Sequence, residues 1–272
     1  MTTDRYRIAA VQLNSGEDPA RNLVECGELI AQAAAQHAAI VVLPELFNCF
    51  GSWEAISAHA EPLDGPTHDW LCGEARRHGI WLIGGSFCER PAGSAKAFNT
   101  SLLIDPTGTV QAVYRKLHLF DASVAGQATA CESNWLAAGS TAVSTSTPYG
   151  RLAQAICYDL RFGPLFTHYA EQPCELIALP AAFTAKTGAV HWEVLLRARA
   201  IETQAYVIAA NQVGTHHGTF STYGHSLIVD PWGVVLADAG NEPGVALAEV
   251  DLAHLRDIRT RLPVSAHRRA IH

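Results

Sequence analysis

The chain has seven cysteines, at positions 26, 49, 72, 88, 131, 157 and 174, yet no C-x-x-C and no paired Cys/His spacing of the zinc-site kind. An odd, scattered set argues against a disulfide framework. It fits reduced thiols, so a cytoplasmic setting is expected. An apolar signal core is missing: Met1-Thr2-Thr3-Asp4-Arg5 leads straight into a strand-like run. No run approaches the ~20 apolar residues of a membrane span, so no membrane partner is expected. Positive charge is in deficit, with 19 Lys and Arg against 26 Asp and Glu for a net charge of -7. That balance lacks the basic footprint of a nucleic-acid binder. There is no G-x-S-x-G elbow, no P-loop and no H-E-x-x-H. With 49% hydrophobic and 17% charged residues, the composition is that of a globular protein. At 272 residues, one large domain spanning 1–272 is expected.

What is present is a pattern that occurs twice. Arg7 to Leu13 reads as a buried strand. Asp18 and Pro19 then open a helix whose stripe is Leu23, Cys26, Ile30 and Ala34. Ile40 to Leu43 is a strand, and Pro66 to His78 is a helix closed by Gly79. Ile80 to Phe87, Phe98 to Ile104 and Thr109 to Arg115 are strands, with a turn at Asp105-Pro106-Thr107-Gly108. In the second half Arg151 to Cys157 resembles Arg7 to Leu13. Leu176-Ile177-Ala178-Leu179-Pro180-Ala181-Ala182-Phe183 resembles Ile40 to Phe47, and Ser226 to Gly233 matches Ser101 to Gly108. A helix from Val190 to Gln204 is expected to bury Val190, Val194, Leu195, Ala198 and Ile201. Two βαβαββ halves imply two sheets, each with helices on one face, that bury their other faces together. The expected fold is an α/β four-layer α-β-β-α sandwich. The long polar stretch from Leu119 to Pro148 is expected to be a functional loop.

The repeat also acts as an internal control. Cys157 aligns with Leu13, and Glu45 with Ala181, so each half replaces one bland residue by a reactive one at a strand end. Strand C-terminal ends are where α/β sheets hold ligands. Taken singly, each candidate has an ordinary reading. Cys157 could be a small buried hydrophobe, Glu45 a solvated carboxylate, and Lys116 an exposed lysine. Glu132 alone carries no signal. His216-His217 reads as a solvated loop.

In chain order, Leu43-Pro44-Glu45, Tyr114-Arg115-Lys116-Leu117-His118-Leu119 and Ile156-Cys157-Tyr158-Asp159-Leu160-Arg161-Phe162 resemble the blocks of the carbon–nitrogen hydrolases of the nitrilase superfamily. That superfamily uses a Glu–Lys–Cys triad. The spacings of 71 and 41 residues are normal for it, and the similarity runs from about residue 6 to about residue 269. Cys131-Glu132-Ser133-Asn134, His191 to Gln204 and Tyr223-Gly224-His225-Ser226 narrow the resemblance to the Nit amidases. It implies catalytic Glu45, Lys116 and Cys157, with Glu132 as a second glutamate of the site. It implies that Arg161, Phe183 and Thr187 line the pocket for an α-keto acid end. The implied substrate is a small-molecule amide of the α-keto acid type, deaminated glutathione first, with ω-amides such as 2-oxoglutaramate or N-carbamoyl amino acids as alternatives. No metal and no cofactor are required, and a homodimer is implied. One departure stands out. The family continues Arg-Phe-Pro-Glu-Leu where this chain has Arg161-Phe162-Gly163-Pro164-Leu165, so that glutamate's role in orienting Arg161 does not carry over.

Chemically, a free thiol is mostly protonated at neutral pH. The Lys116 ammonium is expected to favour the thiolate, with Glu45 as proton acceptor. Lys116 and the Tyr158 N–H are expected to receive the oxyanion, and Arg161 to bind a carboxylate bidentately.

Overall fold

The computed structural model describes residues 4–122, 130–218 and 220–269. Its first sheet runs in the order Gly244–Asp251, Arg5–Gln12, Ala38–Val42, Trp81–Ile83, Phe98–Ile104, Phe87–Glu89, with Val110–Arg115 also paired to Phe98–Ile104. The second runs Val235–Asp238, Leu227–Val229, Tyr206–Asn211, Leu176–Ala181, Gly150–Gln154, Ser144–Thr147. In each sheet the three central βαβ-linked strands are parallel.

Side-chain alternation along these strands builds the layers. Ile8, Ala10, Ile40 and Val42 of the first sheet meet Leu176, Ala178, Ile208 and Ala210 of the second in one core. Their neighbours Ala9, Val11, Val41 and Leu43 face the other way, onto the helices Pro19–Ala35 and Pro66–His78. Ile177, Leu179 and Val207 likewise face the helices Gly163–Glu171 and Ala185–Thr203. The result is the expected α-β-β-α order.

Helix ends follow the sequence signals. Asp18 accepts from the Ala20 and Arg21 N–H groups at 3.0 and 3.3 Å. Gly79 closes the Pro66–His78 helix at φ 64.

Several expectations change. The run from Ile80 to Phe87 is broken at Gly84-Gly85 into Trp81–Ile83 and Phe87–Glu89. Gly85 has φ +53, and a Cβ there would sit 2.2 Å from the Pro44 carbonyl oxygen. The last strand, Gly244–Asp251, belongs to the second half of the chain but pairs antiparallel with Arg5–Gln12, so it completes the first sheet. The stretch from Leu119 to Pro148 is not bare loop. Asp121–Ala122 pairs with Ala130–Cys131, Glu132–Asn134 is a single turn, and Ser144–Thr147 is a strand. Residues 123–129 of it lie outside those described.

Of the stripe expected to be buried on the long helix, Leu195 packs partly against the core, but the main buried face is a different one. Trp192, Leu196, Ala200 and Thr203 turn inward, while Val190, Val194 and Ile201 are exposed by 65%, 66% and 47%. The helix is apolar on two sides, so periodicity alone picks no single inner stripe. The inward choice is set by Gly188, whose bare Cα lets Tyr223 approach, and by the Trp192 indole N–H, which donates to the His225 carbonyl at 2.7 Å. His216 and His217 lie on the strand Val213–His217, not on a loop.

Candidate active site

The four residues expected to carry chemistry meet at the seam between the halves. Lys116 follows the strand Val110–Arg115, held by its N–H to the Asn99 carbonyl at 2.9 Å. Its Nζ donates to Glu45 Oε1 at 2.8 Å and to both oxygens of Glu132 at 2.9 Å. All three side chains are at most 5% exposed. Glu45 sits past the strand Ala38–Val42, on a turn fixed by Ser86, whose hydroxyl accepts from the Leu46 N–H at 2.9 Å. Its carboxylate also accepts from Asn99 Nδ2 and from the Ala182 N–H, each at 2.8 Å. Glu132 accepts from the Phe120 N–H at 2.6 Å. Asn99 is a residue that sequence reading missed. Its signal was present in Asn99-Thr100-Ser101, three polar residues in an otherwise apolar strand, all of which are buried.

Cys157 lies beyond the strand Gly150–Gln154 and opens the single turn Cys157–Arg161, with φ +44. A side chain at that φ costs on the order of 1–3 kcal/mol and needs support from its surroundings. Asp159, fully buried, gives it. One carboxylate oxygen accepts from the Ile156 N–H at 2.9 Å and the Tyr114 hydroxyl at 2.6 Å. The other accepts from the His118 N–H at 3.0 Å and meets His118 Nδ1 at 2.7 Å. The His118 ring stacks on Phe162 at 3.7 Å. Arg199 donates twice to the Leu160 carbonyl, at 3.0 and 2.9 Å, and lies over Phe166. An arginine on a helix reads as solvent-facing in sequence, so this support was not legible there.

Burial pushes the Cys157 thiol well above its ordinary range, and the Glu45 carboxylate adds to the rise. Lys116 pulls the other way and is outweighed. That direction favours the thiol over the thiolate that a neighbouring lysine alone would favour, and Glu45 is the carboxylate beside it. For Lys116, burial works against the charge, but the Glu132 and Glu45 carboxylates hold the ammonium well above its usual range. Burial raises Glu132, with Lys116 opposing.

Two cavities meet at Cys157. The larger, about 410 Å³, is walled by Phe50, Trp53, Ile56 and Phe220, with Glu45, Lys116, Glu132 and His217 also in its lining. The smaller is lined by Tyr158, Arg161, Phe183, Thr184 and Thr187. Phe120, Cys157 and Ala182 border both. Arg161, Phe183 and Thr187 come together beside Cys157. The Arg161 guanidinium lies over Phe183 at 4.7 Å and Tyr158 at 5.9 Å, and its Nη1 is 3.2 Å from His191 Nδ1. Gly163 and Pro164 begin the next helix. The larger, aromatic cleft was not foreseen from the sequence. Among the described residues, no group of three or more His, Cys, Asp or Glu is placed to hold a metal ion, and no helix is long and apolar enough to cross a membrane.

A sandwich of this kind with such a cluster at its seam defines an enzyme class, the hydrolases that cleave carbon–nitrogen bonds. The chain belongs to the carbon–nitrogen hydrolase family, whose pattern matches residues 7–260. Among particular proteins, it is 43% identical over 267 residues to deaminated glutathione amidase of Homo sapiens, covering 96% of this chain and 82% of that one. It is 39% identical over 265 residues to the omega-amidase of Homo sapiens, covering 97% and 95%. The crystal structure of the C. elegans NitFhit protein superposes with a TM-score of 0.90 at 38% identity, over 99% of this chain and 66% of that chain.

Proposed function

We propose that the protein is a thiol-dependent amidase that hydrolyses the amide of deaminated glutathione to 2-oxoglutarate and cysteinylglycine. The observation that carries the mechanism is the buried Lys116 ammonium held between Glu45 and Glu132 beside Cys157. The relatives' activity supports the substrate.

Glu45 takes the thiol proton as Cys157 Sγ attacks the amide carbon. The oxyanion that forms is received by Lys116 and by the Tyr158 N–H. One such donor is worth about 3–4 kcal/mol. Glu45 then delivers the proton to the amide nitrogen, the C–N bond breaks and the amine leaves. A thioester remains on Cys157. Glu45 activates a water molecule, which attacks the thioester, and the acid departs as the thiol is restored. Glu132 keeps the ammonium in place and balances it. Arg161, steered by Phe183 and Tyr158, binds the carboxylate of the acyl end through its planar fork.

The test compares kcat/KM on deaminated glutathione, 2-oxoglutaramate and an N-carbamoyl amino acid. Highest efficiency on the first supports the proposal, and preference for either of the others contradicts it. The omega-amidase relative makes 2-oxoglutaramate the second reading.

The proposal extends to assembly and setting. Val190, Val194 and Ile201 stand exposed beside exposed Trp232 and Val234, an apolar face that suits a homodimer. Light scattering should give twice the chain mass, and Val194→Asp should return it to a monomer. All seven cysteines are free, which suits the reducing cytoplasm. Each half supplies part of one site, so the two act as a single domain.

A further inference from the structure

Resting on that amidase reading, we infer that His191 is a positioning residue. Its neutral ring accepts a hydrogen bond from Arg161 and so aims the guanidinium at the carboxylate of the acyl end. Arg161 Nη1 lies 3.2 Å from His191 Nδ1. A guanidinium carries five N–H donors and no acceptor, and it stays charged. The contact is a hydrogen bond only if His191 Nδ1 offers its lone pair, which makes the ring neutral with its proton on Nε2. Among the described residues, Arg161 has no carboxylate partner and no hydrogen-bond partner besides His191. The residues that follow on the chain supply none, since Gly163 has no side chain and Pro164 no polar one. A carboxylate beside Arg161 would occupy the fork and cancel its charge before a substrate arrived. An imidazole takes one donor on Nη1 and leaves Nε and Nη2 for a bidentate carboxylate.

The placement of the ring suits this task. Thr187 and His191 stand one turn apart on the helix Ala185–Thr203 and share a face. Thr187 lines the small cavity together with Arg161 and Phe183, whereas His191 is not one of its walls. The imidazole therefore reaches Arg161 from beside the cavity, where a bound acyl chain does not displace it. Phe183 supports the guanidinium carbon at 4.7 Å, and His191 fixes one corner of the fork. Two contacts of different kinds, one to the face and one to the edge, leave the free edge with one direction.

Titration calorimetry of the whole chain with two ligands tests the inference without turnover. 2-Oxoglutarate carries the carboxylate next to its keto group. 4-Oxopentanoate has a methyl group in that place and keeps the other carboxylate. His191→Ala should weaken 2-oxoglutarate about tenfold, near the lower end of what a hydrogen bond to a charged group contributes. It should bind 4-oxopentanoate as the wild type does. His191→Asn puts Oδ1 where Nδ1 stood and should restore most of the affinity for 2-oxoglutarate. His191 is exposed, so both substitutions leave the core untouched. A purely structural role would weaken both ligands alike and gain nothing from asparagine. His191→Ala that binds 2-oxoglutarate as tightly as the wild type, or that weakens both ligands equally, overturns the inference. So does a loss that His191→Asn fails to restore. Each of these outcomes leaves the amidase reading in place. Wild-type protein that binds 2-oxoglutarate no more tightly than 4-oxopentanoate overturns instead the reading of Arg161 as the carboxylate site, and the inference with it.

Discussion

The Ala182 backbone N–H donates to Glu45 Oε2 at 2.8 Å, across the seam of the two halves. In return the Glu45 N–H reaches the Ala181 carbonyl at 3.3 Å. Glu45 and Ala181 are equivalent positions of the repeat, so the pseudo-symmetry brings the matching strand ends together and lets one half orient the Glu45 carboxylate of the other. Because the Glu45 carboxylate raises the thiol, Glu45→Gln is expected to abolish amidase turnover and at the same time lower the Cys157 pKa. Ultraviolet titration of the thiolate, taken as the difference from a Cys157→Ala background, checks this. An unchanged or raised thiol pKa in Glu45→Gln contradicts the electrostatic part of the account.

In the proposed mechanism the strain of Cys157 at φ +44 serves chemistry rather than stability. Cys157→Ala and Cys157→Gly should both lose turnover by at least about 10⁴-fold, as nucleophile deletions do. Glycine carries no Cβ penalty at positive φ, so Cys157→Gly should melt higher than Cys157→Ala, by about 1 kcal/mol or roughly 2–4 °C. Thermal unfolding of the two variants side by side measures it. A glycine variant that melts lower than the alanine variant contradicts the reading of strain.

Asp159 lines neither cavity at Cys157 but receives two backbone N–H groups, a phenol and an imidazole while fully buried. Asp159→Ala leaves these donors unpaired, at roughly 1–3 kcal/mol each before relaxation. Asp159→Asn keeps the shape and should cost less stability. It should still lower kcat more than it raises KM, because it loosens the turn that aims the thiol and not the pocket that holds the substrate. Steady-state kinetics separate the two. A KM effect with kcat intact removes Asp159 from the positioning of Cys157.

Glu132 is raised above its ordinary value of 4.5 by burial, with Lys116 opposing. For such a group the protonated folded state is favoured. Its contribution to stability is full below about pH 4.5 and is lost as pH rises through the folded value. The wild-type protein should therefore lose stability relative to Glu132→Gln as pH climbs above 4.5, and the difference should level off higher up. Denaturant unfolding at a series of pH values follows it. A wild type that gains on the variant over that window contradicts the direction of the shift.

Strand and helix order, the caps at Asp18 and Gly79, and the two-sheet architecture were legible because they rest on local patterns that the chain writes twice. Glu45 and Cys157 stood out because the repeat shows what each replaced, and Lys116 because three blocks stand in order. The parts that were not legible depend on distant contacts. The inner face of Ala185–Thr203 is decided by Gly188 against Tyr223, not by periodicity. Arg199 is buried because the Leu160 carbonyl needs a donor. Asn99 and the aromatic wall of the large cleft come from segments with no motif, drawn together only by the fold. The protonation of Cys157 also depends on burial, which neighbours in sequence do not reveal.

The central claim is that the reaction passes through a thioester on Cys157. Acid-quenched mass spectrometry of the protein during turnover of the 2-oxoglutaryl amide of cysteinylglycine tests it most directly. A 2-oxoglutaryl adduct mapped to Cys157, and absent from Cys157→Ala, is the predicted result. Steady turnover with Cys157 unmodified, or with the adduct on another residue, would contradict it.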